Sequence, residues 1–281
     1  MEGYIRRIER ARKALGEADK VLIGGGAGLS AAAGLEYAGK RFEDNFADFI
    51  GKYGMTDMYT AGFYPFATEE EKWAYWARHI EINLYKQEPT QLYSDLKQLV
   101  DGKDFFVVTT NVESQFEKAG FPKNRIFEVQ GNYGFLQCAK GCHSKRYDNE
   151  KLINTMASHT KDCRIPSCLV PKCPVCGGPM EVNLRKDQYF VQDETWYVSN
   201  RNYERWLKRA EGSRLVLLEL GVGYNTPGII RYPFEQMAYG RKNAVLIRMN
   251  RDYPAGAEEN KNRTIAFTEE IKEVVGALLE E

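Results

Sequence analysis

Histidine is scarce in this chain: only His79, His143 and His159 occur among 281 residues. Side chains that titrate near neutrality are therefore few. His143 follows a cysteine, and His79 and His159 read as surface residues. Net charge is missing too, since 39 Lys plus Arg balance 39 Asp plus Glu. Without a basic excess, bulk nucleic-acid binding is not expected. No window approaches the roughly 20 apolar residues of a membrane span. The first residues, Met1-Glu2-Gly3-Tyr4-Ile5-Arg6-Arg7, lack an apolar signal core. Nor do the six cysteines spread as a disulfide framework, for all lie between Cys138 and Cys176. That clustering favours a metal over disulfides and places the protein in the cytoplasm. What is present in quantity is apolar: 43% hydrophobic residues supply a sizeable core and exclude global disorder.

The chain is organised around Val21-Leu22-Ile23-Gly24-Gly25-Gly26-Ala27-Gly28-Leu29-Ser30-Ala31-Ala32-Ala33-Gly34. This reads as a buried strand, a tight turn and a helix start. Glycines allow close backbone approach, and a helix N-terminus offers unpaired N–H groups to a pyrophosphate. Gly26, Ala27, Gly28 and Ser30 fall within a dinucleotide fingerprint with Ala31 in the third glycine position; packing alone is the bland reading. A hydride-transfer enzyme would add a strand ending in an acid about 20 residues on. Glu43, Asp44 and Asp48 have no strand before them, so hydride transfer is not the first reading.

Around this turn the pattern alternates. A helix is expected over 3–18. The aromatic-rich stretch 36–67 reads as irregular, either a packed helical cap or a lid over the ligand. Helices follow over 69–86 and 89–100, then a strand Phe105–Asn111, a helix near 113–119 and a strand Ile126–Val129. After the cysteines come a strand Leu215–Leu220 opening into Gly221-Val222-Gly223-Tyr224-Asn225, a helix near 228–239 and a strand Ala244–Met249 ending at Asn250 and Arg251. A strand near 264–266 and a helix from Thr268 close the chain. Alternating strands and helices predict an α/β fold with a parallel sheet covered on both faces. Ligands there bind beyond the strands' carboxyl ends, where Asn111 falls.

Cys138-x3-Cys142 and Cys173-x2-Cys176 form two ligand pairs able to hold one tetrahedral Zn²⁺. Four thiolates leave no open position, so the metal is structural. Cys163 and Cys168 are left over, and Cys168 is a substitute ligand at less usual spacing.

With the glycine stretch, Thr109-Thr110-Asn111-Val112-Glu113, the four cysteines, Gly221-Val222-Gly223 and Met249-Asn250 in this order, the chain resembles a sirtuin over nearly its whole length. The resemblance implies a Rossmann-like, DHS-like NAD-binding fold joined to a small domain of a zinc ribbon plus helices. The expected partition is 1–35, 87–131 and 190–281 for NAD binding, 36–86 for the helical lid or cap, and 132–189 for the ribbon. The resemblance also implies consumption of NAD⁺ with cleavage of the nicotinamide–ribose bond. Asn111 would order the nicotinamide ribose, and Gly221, Gly223 and Asn250 would line the adenosine half. Gly34, Thr110, Glu113, Val222, Asn225 and Arg251 join the cofactor-binding set.

The departures from the family pattern carry the functional expectation. Glu36, Tyr37, Ala38 and Gly39 stand where Pro-Asp-Phe-Arg is usual. Thr110 replaces Gln, and Glu113 replaces Asp. Before Gly131, where deacylating sirtuins carry His, stands Gln130. Histidine can remove a proton from a ribose hydroxyl and an amide cannot, though Gln130 can still hydrogen-bond a hydroxyl or an incoming group. Transfer of ADP-ribose needs nicotinamide departure and a positioned nucleophile, without that base. The pattern looks like the macrodomain-linked microbial sirtuins, which resemble protein mono-ADP-ribosyltransferases. Their setting implies a lipoylated glycine-cleavage-H-like carrier protein as acceptor and a macrodomain ADP-ribosyl hydrolase as eraser. The alternatives are an NAD⁺-dependent lysine deacylase and a silent NAD or ADP-ribose binding module. Asn111 and Gln130 are the catalytic candidates. Arg185 and Asp187, placed alternately on a strand after the ribbon, would share one face and meet the substrate; a surface charge pair is the bland reading.

Overall fold

The computed structural model describes residues 3–280. Its strands are β1 (Lys20–Gly25), β2 (Asp104–Thr109), β3 (Ile126–Glu128), β4 (Gly131–Cys138), β5 (Tyr147–Asp148), β6 (Met180–Leu184), β7 (Leu215–Leu220), β8 (Ala244–Met249) and β9 (Thr264–Phe267). Its α-helices are α1 (Tyr4–Glu17), α2 (Ala27–Ala32), α3 (Lys40–Tyr53), α4 (Met58–Ala61), α5 (Glu69–Ile80), α6 (Gln91–Leu99), α7 (Gln115–Lys118), α8 (Glu150–His159), α9 (Glu194–Arg209), α10 (Arg231–Gly240) and α11 (Ile271–Leu279). The chain divides into two compact units, Met1–Gly34 with Pro89–Gln130 and Thr195–Glu281, and Leu35–Glu88 with Gly131–Glu194.

The first unit is a six-stranded sheet in the order β3-β2-β1-β7-β8-β9, parallel throughout. Counting only its own strands, the order is 3-2-1-4-5-6, that of a dinucleotide-binding doubly wound sheet. The strands are continuous apolar runs because both faces are covered. Val21, Ile23, Val107, Val216, Leu218 and Ile247 pack with Ile8, Ala11 and Leu15 of α1 and Val274, Val275 and Leu278 of α11. On the other face Leu22, Phe106, Val108, Leu217 and Leu246 meet Trp206 of α9 and Phe234 and Ala238 of α10. The order reverses between β1 and β7, whose carboxyl ends, Gly25 and Leu220, are register partners. Such a switch point opens a ligand crevice.

In the second unit α3 and α4 occupy most of 36–67, as a helical cap would, although the stretch reads as irregular in sequence. Phe42, Phe46 and Phe49 recur at helical spacing, are buried, and stack in series against Tyr75 of α5. Aromatic rings crowded within eight residues hid that period. Beyond α5 the helix widens into one π turn, Glu81–Tyr85. An antiparallel sheet β5-β4-β6 carries the cysteines. Helix α8 falls between the two cysteine pairs, a position the ribbon reading left without an element.

His79 is not a surface residue. It is 1% exposed, with Nε2 2.9 Å from Tyr133 Oη and Nδ1 3.1 Å from Tyr75 Oη. Tyr75 donates to the Met58 carbonyl at 2.6 Å, so Nδ1–H is the donor to Tyr75 and Nε2 accepts from Tyr133. Burial first, and the charge of Arg41 second, push the imidazole down to about 3. A base with a lowered folded pKa stabilises fully above its unfolded value of about 6.5 and loses that contribution as pH falls from there toward 3. Unfolding by urea at pH 7 and pH 5 should show an acid loss of about 2 kcal/mol from this group alone. In His79→Gln that pH-dependent part should vanish; an unchanged slope refutes it.

Candidate functional site

At the switch point, β1 runs directly through Gly26 into α2, and the turn from β7 lies against it. Gly28 N donates to Gly221 O at 2.9 Å and Gly26 N to Leu220 O at 3.0 Å. A Cβ at Gly26 would stand 2.7 Å from Gly221 O, and one at Gly28 2.8 Å from Gly221 Cα. Gly221 itself has φ +60° and no room for a side chain against Gly28 and Leu29. These glycines are therefore required by backbone-to-backbone packing, a stricter demand than ligand approach. Gly28→Ala should cost roughly 1–3 kcal/mol as an overpacked site, read as a lowered Tm. An Ala variant of full stability would show that the turn is slack.

Beneath the turn lies a buried polar cluster. Asn111, just past β2, is 8% exposed, and its Nδ2 donates to Gly26 O at 3.0 Å and Ser30 Oγ at 2.9 Å, with Tyr93 Oη at 3.2 Å. Glu113, 4% exposed, accepts from Ser30 Oγ at 2.6 Å through Oε1 and from Val112 N at 2.9 Å through Oε2. Its Oε1 is also 3.4 Å from Tyr93 Oη. Burial, reinforced by Glu113, holds the Tyr93 phenol far above its ordinary range, so it stays protonated. The Gly26 carbonyl can only accept, which fixes the Asn111 amide with NH₂ inward and Oδ1 as its remaining acceptor. Thr109 and Thr110 tie β2 to β1 through the Gly25 carbonyl, at 2.9 Å from Thr109 Oγ1 and 3.1 Å from Thr110 N. Gly34, with φ +83°, closes the turn after α2.

Gln130 follows β3 and is half-buried, its Nε2 donating to Thr226 Oγ1 at 3.0 Å. Val222 is buried, and its carbonyl accepts from Asn250 Nδ2 at 2.8 Å. Asn250 Oδ1 caps the next turn by accepting from Tyr253 N at 2.9 Å. Gly223 and Asn225 lie in the open loop after β7, where a Cβ at Gly223 meets nothing. Arg251 is exposed and pairs with Asp252 at 3.3 Å.

Two parts of this unit escaped sequence reasoning. Tyr93 falls within the helix expected over 89–100 with nothing to single it out; only the fold shows its hydroxyl facing Ser30 and Asn111. Glu219, inside an otherwise aliphatic strand, is fully buried with Arg248, whose Nε lies 2.7 Å from Glu219 Oε1 and Nη2 2.9 Å from Oε2. Arg231 stands 3.6 Å from Glu219 and donates to the Ala255 carbonyl at 2.8 Å, as does Arg248. This ion cluster pins the loop that follows Asn250. Burial raises the Glu219 carboxyl against the pull of both arginines.

In the second unit Cys138, Cys142, Cys173 and Cys176 bring their sulfurs within 4.8 Å of one another. Cys138–Cys176 and Cys142–Cys173 are each 3.7 Å apart. A tetrahedron of Zn–S bonds of about 2.3 Å has edges of about 3.8 Å, so the four fit one zinc ion. Cys168 is exposed and outside the cluster, and Cys163 is buried beside Asp48, so neither is a ligand of this group. His143 Nδ1 lies 3.0 Å from Cys142 Sγ.

Arg185 and Asp187 do not alternate on a strand, because β6 ends at Leu184. They sit in the following bend, where Asp187 Oδ1 accepts from Tyr189 N at 2.8 Å and the Arg185 guanidinium lies 4.6 Å from the Phe190 ring centre. Local capping of the bend ended the strand earlier than its alternation suggested.

Among the described residues no helix is long and apolar enough to cross a membrane. Residues 26–209 match the Sir2 family. The chain is 36% identical, over 99% of its length and 89% of the relative's, to a protein ADP-ribosyltransferase of Staphylococcus aureus. It is 34% identical, over 86% of its length, to a probable bifunctional ADP-ribose hydrolase/ADP-ribosyltransferase of Fusarium oxysporum f. sp. cubense, of which it spans 42%. Among solved structures, a Sir2 homologue in complex with NAD aligns over 96% of this chain and 91% of its own, with TM-score 0.57 and 18% identity. A Sir2 enzyme from a study of mechanism and regulation aligns over 98% and 96%, with TM-score 0.58 and 18% identity. At these identities the structural likeness concerns the fold.

Proposed function

Since the chain belongs to the Sir2 family, we propose that it is an NAD⁺-dependent protein mono-ADP-ribosyltransferase. The observation that carries this reading over deacylation is Gln130, an amide where the family's deacylases hold their base. His79 is sealed in a core, His143 lies against the Cys142 sulfur, and His159 is exposed at the end of α8. The two curated relatives bearing ADP-ribosyltransferase in their names support the same choice.

In the reaction, an acceptor nucleophile forms a bond to the anomeric carbon of the nicotinamide ribose as the C–N glycosidic bond breaks. The bond's electron pair neutralises the pyridinium, nicotinamide leaves, and the nucleophile gives up its proton to solvent water. The residues supply orientation and electrostatics. Asn111 Oδ1 accepts from a ribose hydroxyl, held by three inward contacts of its Nδ2. Glu113 keeps Ser30 and the Val112 amide in place beneath it. The turn from Gly26 into α2 would receive the pyrophosphate at the positive end of the helix, with Gly26 N, Gly28 N and Leu29 N already engaged by the Leu220, Gly221 and Gly26 carbonyls. Asn250 and Val222 shape the adenosine side, and Gln130 orients a ribose hydroxyl or the incoming group. The four thiolates hold Zn²⁺ as a structural element.

The acceptor in this reading is a lipoylated glycine-cleavage-H-like carrier protein in the cytoplasm, with a macrodomain hydrolase removing the mark. A relative named for both hydrolase and transferase is consistent with such a pairing. Incubation with adenylate-labelled NAD⁺, lipoylated and unlipoylated carrier, and an acetyl-lysine peptide tests it. Label should reach the carrier alone and depend on lipoylation. Peptide deacetylation with no labelled protein overturns the transferase reading; label on an unrelated protein overturns only the carrier. Gln130→Ala should slow transfer roughly tenfold or more, as loss of a positioned hydrogen bond.

A further inference from the structure

We propose that the first unit carries a second ligand site, an anion pocket for a small phosphate-bearing molecule, at the sheet edge opposite the glycine turn. A cavity of about 180 Å³ opens between α9 and the turn leading into β3. Its rim holds Arg205 and Arg209, one helical turn apart on α9, and Arg125 from the turn. The amides of Asn202 and Asn124 lie among them, over a floor of Phe106 and Trp206. Phe106 and Trp206 are buried, with ring centres 6.0 Å apart. Asn202, Arg205 and Arg209 share one face of α9 at i, i+3 and i+7.

The charge is not balanced by the protein. Among the described residues no acid lines the cavity, and Asp104, the acid paired with Arg125, is already engaged. Its Oδ1 takes Arg125 at 2.7 Å and Trp206 Nε1 at 2.8 Å, while Oδ2 takes Lys20. Arg205 and Arg209 are exposed and form no ion pair among the described residues. Like charges at i, i+4 repel. Placing Arg209 in the last turn suits the negative end of the helix dipole. That explains neither Arg205, a turn earlier, nor the convergence of Arg125 and two amides on the same hollow. Guanidinium groups in a fixed fork match phosphate oxygens two at a time.

The ligand class follows from size and lining. The hollow is smaller than the roughly 300–1,000 Å³ of sites for drug-sized ligands, so a whole dinucleotide is excluded and a phosphate or pyrophosphate group is accommodated. The site is also remote from the switch point. Asp104 begins β2 and Thr109 ends it, about 17 Å apart at the rise of a strand. Occupancy would tie α9 to the turn before β3. At its other end α9 holds Val129, the neighbour of Gln130, through Trp196 Nε1 at 3.2 Å.

The test uses the full-length protein saturated with ADP-ribose, so that the glycine turn cannot take the probe. Pyrophosphate and inorganic phosphate are titrated by calorimetry and followed by thermal shift, with ionic strength held constant by chloride. Wild type should bind with a raised Tm, and Arg205→Gln/Arg209→Gln should bind at least roughly tenfold more weakly. Circular dichroism and ADP-ribose affinity serve as the check that the double variant is folded. No binding by wild type, or equal binding by the folded double variant, overturns the proposal. Should the double variant fail to fold, Arg205→Lys, which keeps the charge but loses the fork, should still weaken binding measurably; unchanged affinity there overturns it too.

Discussion

Asn111→Ala is expected to lower ADP-ribosyl transfer by roughly 100- to 1,000-fold, the scale of losing one preorganised polar contact at a reacting centre. Affinity for NAD⁺ should fall far less, because Asn250 and Val222 are untouched and the glycine turn loses the Asn111 contact but keeps its backbone bonds to Leu220 and Gly221. The sharper variant is Asn111→Asp. Asn111 Nδ2 is a donor to Gly26 O and Ser30 Oγ, and Ser30 is in turn a donor to Glu113. A carboxylate there cannot donate to the Gly26 carbonyl and adds a second negative charge beside Glu113, so Asp should be at least as damaging as Ala despite its nearly equal shape. Single-turnover assays with labelled NAD⁺, beside calorimetry on the same proteins, separate the two effects. Transfer within tenfold of wild type in both variants would remove Asn111 from the reaction.

The second large effect concerns the thiolates. Removing zinc, or replacing Cys173 by Ser, should unfold the region between β4 and β6. Structural zinc sites supply on the order of 10–16 kcal/mol of apparent binding energy, which is also folding energy. Metal analysis should return one zinc per chain. Chelation should abolish the near-ultraviolet signal of the aromatic cluster around Tyr75 if α5 and α8 depend on the ribbon. Well-folded protein free of zinc would sink this expectation.

Much of the sheet was legible because parallel strands covered on both faces are plain apolar runs, such as Leu215–Leu220 and Ala244–Met249. The glycine turn was legible as a motif, but its reason was not. That Gly26 and Gly28 face Gly221 is a contact between residues nearly 200 positions apart in sequence, and no local pattern encodes it. Helix α9 stayed hidden because its buried side is aromatic and sparse, Trp196, Tyr203 and Trp206, within a strongly polar stretch. Glu219 was invisible for the opposite reason: one acid in an aliphatic strand reads as noise until Arg248 and Arg231 are placed beside it. His79 shared that fate, its burial depending on Tyr75 of its own helix and on Tyr37 and Tyr133 from two other segments.

The two halves of the thiolate cluster are separated by a long excursion: Cys142 and Cys173 lie 31 residues apart, with α8 inside it. Once metal and the β4–β6 pairing fasten both ends, the length of the span between them matters little, since doubling a flexible loop costs only about 0.6 kcal/mol. Residues Ile153 and Met156 of α8 are buried and resist alteration, but Ser167 and Cys168 lie exposed. That stretch is a natural graft point, where a peptide tag or a whole foreign domain can be spliced in at the cost of the Ser167 Oγ–Glu70 hydrogen bond of 2.7 Å.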